Sequence, residues 1–151
     1  MKRLLISLSL MVFNAWPSET SISIIGACDV EVLVSKSYKN IPEGWSVGDL
    51  TINFLNESNV PYQGSRESIG QILEIPDNSN ELIVISDTEM LAYGWCYKIN
   101  GVAPESYPHQ VEVLPGDTVL WYFAYSHYLN RKWVGQCIPS YQEPRQEFCD
   151  I

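Results

Sequence analysis

The stretch that decides the fold is Tyr93–Tyr125, which reads YGWCYKINGVAPESYPHQVEVLPGDTVLWYFAY. Its first part, Tyr93–Ile99, is rich in aromatic and β-branched residues, a composition typical of a β-strand. Asn100-Gly101 follows and favours a tight turn, because both residue types tolerate positive φ. Gln110–Leu114 then alternates polar and apolar side chains, which predicts a second, half-buried strand.

The end of the same stretch predicts the centre of a sheet. Pro115-Gly116-Asp117 has the composition of a turn. In the following segment, Thr118–Tyr125, successive side chains alternate between two faces, and both faces carry bulky residues. We therefore expect a long central strand that is covered on both sides.

One helix is predicted ahead of this region. Ser46-Val47-Gly48-Asp49 has the form of a capping box, with a hydroxyl followed three residues later by a carboxylate. The apolar residues of Val47–Glu57 recur at helical spacing, so we expect one helix packed on the sheet. Further strands are predicted at Asp29–Ser35, Ser68–Ile75, Glu81–Ser86 and Lys132–Cys137. The fold class is α+β, with a mostly antiparallel sheet.

These residues also carry a family resemblance. The order Trp95-Cys96-Tyr97-Lys98-Ile99-Asn100-Gly101, a Val-x-Val strand, and Pro115-Gly116-Asp117-Thr118-Val119 before Trp121 resembles the C-terminal β-domain of transcobalamin and intrinsic factor. Small secreted bacterial proteins are similar there. The resemblance implies a β-grasp-like architecture. Cobalamin binding in that family also uses a large helical domain that is absent here. We therefore expect no cofactor, and cobalamin is kept only as what the family resemblance implies.

The N-terminus predicts export. Residues 1–15 have a basic start, an apolar run and a final small residue, as a signal peptide does, with cleavage possible up to residue 18. The expected domain then spans residues 28–138, and residues 139–151 form a polar tail. Ile25-Gly26-Ala27-Cys28 resembles a bacterial lipobox, so a lipoprotein anchored at Cys28 is the alternative.

Four cysteines in an exported chain predict two disulfides. Three connectivities are possible. We favour Cys96–Cys137, which would join two core strands, together with Cys28–Cys149, which would tie the ends of the domain. The wide spacing lacks the C-x-x-C pattern of redox or zinc sites.

The sequence offers little for catalysis or metal binding. The chain has only two histidines, His109 and His127, and neither lies in a ligand spacing such as H-x-x-x-H. A Ser126/His127/Asp117 hydrolase is disfavoured because adjacent strand residues point to opposite faces. We therefore expect neither an enzyme nor a metal protein.

Aromatic residues are clustered in the second half of the chain, and this cluster is the strongest indication of a binding surface in the sequence. Tryptophan and tyrosine can stack on a ligand or a partner when part of their surface stays exposed. The candidate binding face contains five side chains: Trp95, Tyr97, Trp121, Tyr125 and His127.

Charge restricts the partner. The chain has a formal net charge of −9, and loss of Lys2 and Arg3 with the signal makes it more negative. An acidic protein disfavours nucleic acid. We predict a periplasmic or secreted, non-enzymatic binding module with no transmembrane helix in the mature chain. Its partner would be a small molecule or an envelope protein, and the alternative is a structural envelope protein.

Overall fold

The structure, a computed structural model, describes residues 19–77 and 81–149. The predicted signal peptide at residues 1–15 and its cleavage site lie outside the described residues. The elements run in this order: β1 Thr20–Ile25, β2 Val32–Tyr38, α1 Val47–Glu57, β3 Tyr62–Gly64, β4 Ile69–Ile72, β5 Leu82–Ser86, β6 Glu89–Ile99, β7 Thr118–Leu129 and β8 Lys132–Pro139. Short 3₁₀ helices lie at Pro108–Gln110, Ser140–Gln142 and Gln146–Phe148.

A six-stranded mixed sheet forms the centre of the molecule, in the order β2-β1-β7-β6-β5 with β8 also paired to β7. Strand β1 runs parallel to β7, and all the other pairs in this sheet are antiparallel. Strands β1 and β8 share one edge of β7, β1 along residues 118–122 and β8 along residues 124–129. β3 and β4 form a separate hairpin. The predicted α+β class is confirmed.

Strand β7 is the central strand, as its sequence predicts. On the face under α1 it buries Val119, Trp121 and Phe123, each with 1% exposure or less. On the other face Tyr122 and Ala124 form a smaller cluster with Ile25. Burial on both sides explains why this strand lacks a polar face.

Helix α1 has the predicted bounds. The Ser46 hydroxyl accepts from the Asp49 backbone N–H at 3.2 Å, and the Asp49 carboxylate accepts from the Ser46 N–H at 3.0 Å, which completes the capping box. The buried stripe of the helix packs on the sheet and contains Val47, Leu50, Thr51, Phe54 and Leu55.

Both favoured disulfides are present. Cys28–Cys149 and Cys96–Cys137 have Cα–Cα distances of 5.5 and 5.9 Å, within the usual range. Two residues of β8, Gln136 and Cys137, lie opposite one residue of β7, and Cys137 has a φ of 50°. This bulge turns Cys137 to its partner, since bulges re-aim side chains.

Packed residues lie on both sides of the predicted domain, residues 28–138. Strand β1 begins at Thr20, ahead of residue 28, and its Ile22 and Ile24 are fully buried. The predicted tail at residues 139–151 also contributes to the core: Phe148 is 3% exposed and packs 4.8 Å from the Tyr93 ring. The sequence gives little signal for these contributions, because β1 is short and comes soon after an apolar run, and because one aromatic residue anchors an otherwise polar tail.

The predicted strand at Gln110–Leu114 is absent. Val111 accepts from the Val47 N–H at 2.8 Å, and the Val113 N–H donates to Trp45 O at 2.9 Å. The partner segment enters α1 at Val47, so the pairing ends after a single bridge between Ser46 and Glu112.

Strand β4 is shorter than predicted, because Leu73 and Glu74 turn the chain with φ values of 53° and 63°. Strand β2 begins at Val32 instead of the predicted Asp29.

We expect Thr51→Val to destabilise the protein by about 1–3 kcal/mol, because it leaves a buried N–H unpaired. The Thr51 hydroxyl accepts from Trp121 Nε1–H at 2.9 Å, and both side chains are 1% exposed. Urea unfolding followed by circular dichroism measures the loss. The control is Thr88→Val, the same change at an exposed turn position. Equal stability of the two variants would contradict the assignment.

Candidate functional site

The candidate site is a groove of about 480 Å³ between α1 and the β3–β4 hairpin. Its volume lies in the range of roughly 300–1,000 Å³ that is typical of small-molecule sites. The lining residues come from the loop before α1, the helix itself and the hairpin: Trp45, Asp49, Ile52, Asn53, Asn56, Tyr62, Gly64, Ser65 and Arg66.

One face of α1 forms the floor of the groove. Asp49, Ile52, Asn53 and Asn56 follow one another at positions i, i+3, i+4 and i+7, so they share one face of α1. This face differs from the stripe that packs on the sheet. The helix therefore buries one side in the core and presents a second, mostly polar side to the groove.

Two aromatic side chains border the groove. Trp45 and Tyr62 are half-buried, and each packs against the core while also lining the groove. The Tyr62 hydroxyl donates to Asn56 Oδ1 at 3.3 Å, which links the hairpin to the helix. Each ring is thus held by the core yet remains accessible to a ligand.

One glycine allows the hairpin to approach the helix, and a second allows close packing within the hairpin. A Cβ at Gly48 would lie 2.0 Å from the Arg66 carbonyl oxygen, so only glycine fits at this position in the first turn of α1. Gly64 has a φ of 144°, and a Cβ there would lie 2.5 Å from the Ser68 carbonyl oxygen. The distance between α1 and the hairpin, and with it the width of the groove, therefore depends on Gly48.

The charged groups of the groove neutralise each other. Arg66 Nη1 lies 3.3 Å from Asp49 Oδ1. The hydroxyl of Ser46 donates to Asp49 Oδ2 at 2.6 Å, and this bond, with the Ser46 N–H and Arg66, holds the pKa of the Asp49 carboxyl below its usual value. Asp49 is therefore a carboxylate at neutral pH and forms an ion pair with Arg66.

The side-chain amide of Asn53, on the floor of the groove, contacts the hydroxyl of Tyr38. Asn53 Nδ2 donates to the Tyr38 hydroxyl at 3.5 Å, and that hydroxyl donates to Glu57 Oε2 at 2.7 Å. Burial first, and then the hydrogen bond to Glu57, raises the pKa of Tyr38 to about 12. The phenol therefore keeps its proton at neutral pH and remains a donor to Glu57.

The predicted aromatic face lies mostly in the core. Trp95, Tyr97 and Trp121 are 9%, 7% and 1% exposed. Trp95 Nε1 donates to Ile75 O at 2.7 Å, and the Tyr97 hydroxyl donates to Ser106 O at 2.8 Å. The structure does bring these three residues together, and they line a second cavity of about 240 Å³ beside Tyr107.

Tyr125 and His127 are not part of that cavity. They lie further along β7, where both are half-buried. His127 Nε2 is 2.9 Å from Glu89 Oε1, and the Tyr125 ring centroid is 5.6 Å from that of Tyr93. The five predicted residues thus form two separate groups.

The structure does not bring Ser126, His127 and Asp117 together as a catalytic triad. Asp117 precedes β7 and accepts from Asn100 Nδ2 at 2.8 Å, whereas Ser126 and His127 lie near the other end of the strand. Ten residues of extended chain separate Asp117 from His127 by roughly 33 Å. Across residues 19–77 and 81–149, no group of three or more His, Cys, Asp or Glu side chains is placed to hold a metal ion.

Sequence reasoning missed the groove. A signal for it was present in the polar spacing of Asp49, Asn53 and Asn56 on the predicted helix, and in Gly48 inside its first turn. The hairpin that completes the groove gave no such signal, because residues Asn59–Gly64 have the composition of a loop.

We expect Asp49→Asn to cost about 0.5–2 kcal/mol at neutral pH, through loss of the charged cap and the Arg66 pair. Because folding lowers the pKa of Asp49, its contribution is fully present above the ordinary value of about 3.9 and is lost as the pH falls through the folded value. The stability gap between wild type and variant should therefore narrow in acid.

Urea unfolding of both proteins at neutral pH and near pH 3 tests this dependence. The control is Asp87→Asn, which removes an exposed carboxylate in the turn between β5 and β6. A gap for Asp49→Asn that stays constant with pH would contradict the role assigned to the carboxylate.

Among the described residues, no helix combines the length and the hydrophobicity that a bilayer span requires. No family model matches the sequence, and no curated protein or solved structure matches it either. The resemblance to the transcobalamin C-terminal β-domain therefore stays a prediction, and function is argued from the groove itself.

Proposed function

We propose that this chain is an exported, non-enzymatic binding module, periplasmic or secreted, whose ligand is a small molecule held in the groove. The observation that carries the proposal is the coincidence of volume and chemistry. A cavity of about 480 Å³ combines two half-buried aromatic rings with polar side chains that converge from α1 and the hairpin. Such a combination is the usual form of a ligand site.

The groove favours binding over catalysis. The only charged side chains among its lining residues, Asp49 and Arg66, pair with each other, and Asp49 also caps α1. A general base needs a free, suitably tuned group within reach of its substrate. Histidine, cysteine and glutamate do not occur among the nine residues that line the groove.

The groove is preferred to the predicted aromatic face because of accessibility. Trp121 is 1% exposed and its indole N–H is bonded inside the protein. The cavity beside it, about 240 Å³, is below the usual size for a ligand site. Trp45 and Tyr62, by contrast, contact the core and the groove together.

We further propose a β-grasp-like architecture related to the transcobalamin C-terminal β-domain. Three features support this: the β1–β2 hairpin leads directly into α1, α1 packs on the sheet, and the long strand β7 returns parallel to β1 in the sheet centre. A ligand is not inferred from this relationship, and the module needs no cofactor under this proposal.

Two disulfides support export, because such bonds persist in oxidising compartments. The alternative, an envelope protein anchored by a lipid on Cys28, would require cleavage just before that residue. Such cleavage would remove β1, whose Ile22 and Ile24 are fully buried, and lipidation would occupy the sulfur that bonds Cys149. We therefore favour the soluble form.

Intact mass of the exported protein tests this choice. We expect a mature chain that starts upstream of Thr20, and that takes up four alkyl groups on alkylation only after reduction. A chain that starts at Cys28 and carries acyl groups would overturn the soluble form and support the anchored one.

Binding in the groove is tested by two-dimensional NMR with a library of small neutral fragments. We expect hits to shift the Trp45 indole and the amides of Asn53 and Asn56. Trp45→Ala should weaken the best hit by at least about tenfold, because it removes one aromatic wall.

The matched control is Trp133→Ala, which removes a tryptophan that is 46% exposed on β8, outside the groove. Shifts confined to the smaller cavity beside Trp95, Tyr97 and Trp121, or no shifts at all, would overturn the groove as the site.

A further inference from the structure

We infer that the ligand of the groove is a neutral saccharide of about two linked rings; this inference rests on the proposed function and specifies its ligand class. It follows from the juxtaposition of aromatic walls, two pre-oriented amides and an internally neutralised ion pair. The side chains that carry it are Trp45, Tyr62, Asn53, Asn56, Asp49 and Arg66.

Charge favours an uncharged ligand. The single cation of the groove, Arg66, is engaged 3.3 Å from Asp49, so the lining has no net charge. An anionic ligand would also meet the field of a chain whose formal charge is −9. A cationic ligand would have to compete with Arg66 for a carboxylate that already accepts two hydrogen bonds from Ser46.

The two amides are oriented by tyrosine hydroxyls. Asn53 lines the groove and its Nδ2 donates to Tyr38, which leaves Asn53 Oδ1 as the acceptor of this amide. Asn56 Oδ1 accepts from Tyr62, which leaves Asn56 Nδ2 as a donor. The pair therefore offers one acceptor and one donor, three residues apart on α1.

Neighbouring sugar hydroxyls match that pattern, because each hydroxyl both donates and accepts. Residues three apart on a helix have Cβ atoms about 5–6 Å apart, a spacing that hydroxyls of one sugar ring can bridge. Because the amides are already held by Tyr38 and Tyr62, little side-chain freedom is lost on binding.

The aromatic walls suit the other surface of a sugar. A pyranose ring has faces of C–H groups, which pack on aromatic rings while its hydroxyls point outward. Trp45 and Tyr62 provide such rings, and both line the groove together with the amide pair. The groove is about three times the ~150 Å³ of an apolar cavity that holds one benzene ring, so two linked rings fit.

The test uses ¹⁵N-labelled full-length mature protein and three soluble disaccharides, cellobiose, maltose and N,N′-diacetylchitobiose, together with an array of immobilised oligosaccharides. We expect at least one sugar to shift the amides of Asn53 and Asn56. Asn56→Asp keeps the shape but removes the free donor, so it should weaken binding by about tenfold. Asn40→Asp, the same change at an exposed loop position outside the groove, should have no effect.

The outcomes separate this inference from the proposed function. Shifts with a free disaccharide identify a small soluble sugar, and binding on the array alone identifies a longer glycan; both support the inference. If neutral non-sugar fragments or peptides occupy the groove and no sugar does, the saccharide is overturned and the binding function stands. If nothing binds in the groove, both are overturned.

Discussion

The hydrogen bond from Trp121 Nε1 to Thr51 Oγ1 is the interaction on which the arrangement of helix and sheet depends. It joins the middle of α1 to the middle of β7, where no water can replace it. The same hydroxyl donates to Val47 O at 2.6 Å, so both its donor and its acceptor functions are used. Because the bond fixes which side of the helix faces the sheet, it also fixes the side that faces the groove.

Local signals predicted the parts of the fold that local chemistry specifies. The capping box at Ser46 and the apolar stripe that follows specify α1 without reference to the rest of the chain. Strand β7 was predictable because both faces of Thr118–Tyr125 carry bulky residues. The disulfide pairing was only favoured among three possibilities, since two strands must first be placed on either side of β7 before Cys96 can meet Cys137.

The wrong predictions arise where a distant partner decides the structure. Val111 and Val113 alternate like a strand, yet their partner segment becomes a helix after one bridge, so no ladder can extend. Thr20–Ile25 is a strand because it pairs in parallel with β7, which lies about a hundred residues further along the chain. Phe148 belongs to the core because Cys149 is tied to Cys28, which brings the end of the chain back against Tyr93.

The candidate site shows the same dependence on distant partners. The sequence does not distinguish a tryptophan or tyrosine that packs in the core from one that can contact a ligand, because the surrounding residues determine its exposure. Trp95 and Trp121 lie under α1 and its hairpin, and their indole N–H groups are used internally. Trp45 and Tyr62 lie where α1 and the hairpin leave a gap, so each keeps an accessible side.

Asp49 shows why fold and groove cannot be separated in this chain. Its carboxylate caps the helix through Ser46 and pairs with Arg66 of the hairpin, so one side chain starts α1 and connects it to the opposite wall. Gly48 beside it allows the Arg66 backbone to approach. The residues that build the helix start therefore also set the width and the neutral charge of the groove. A groove assembled in this way is held by the same contacts as the fold, which would lower the entropic cost of binding the proposed ligand.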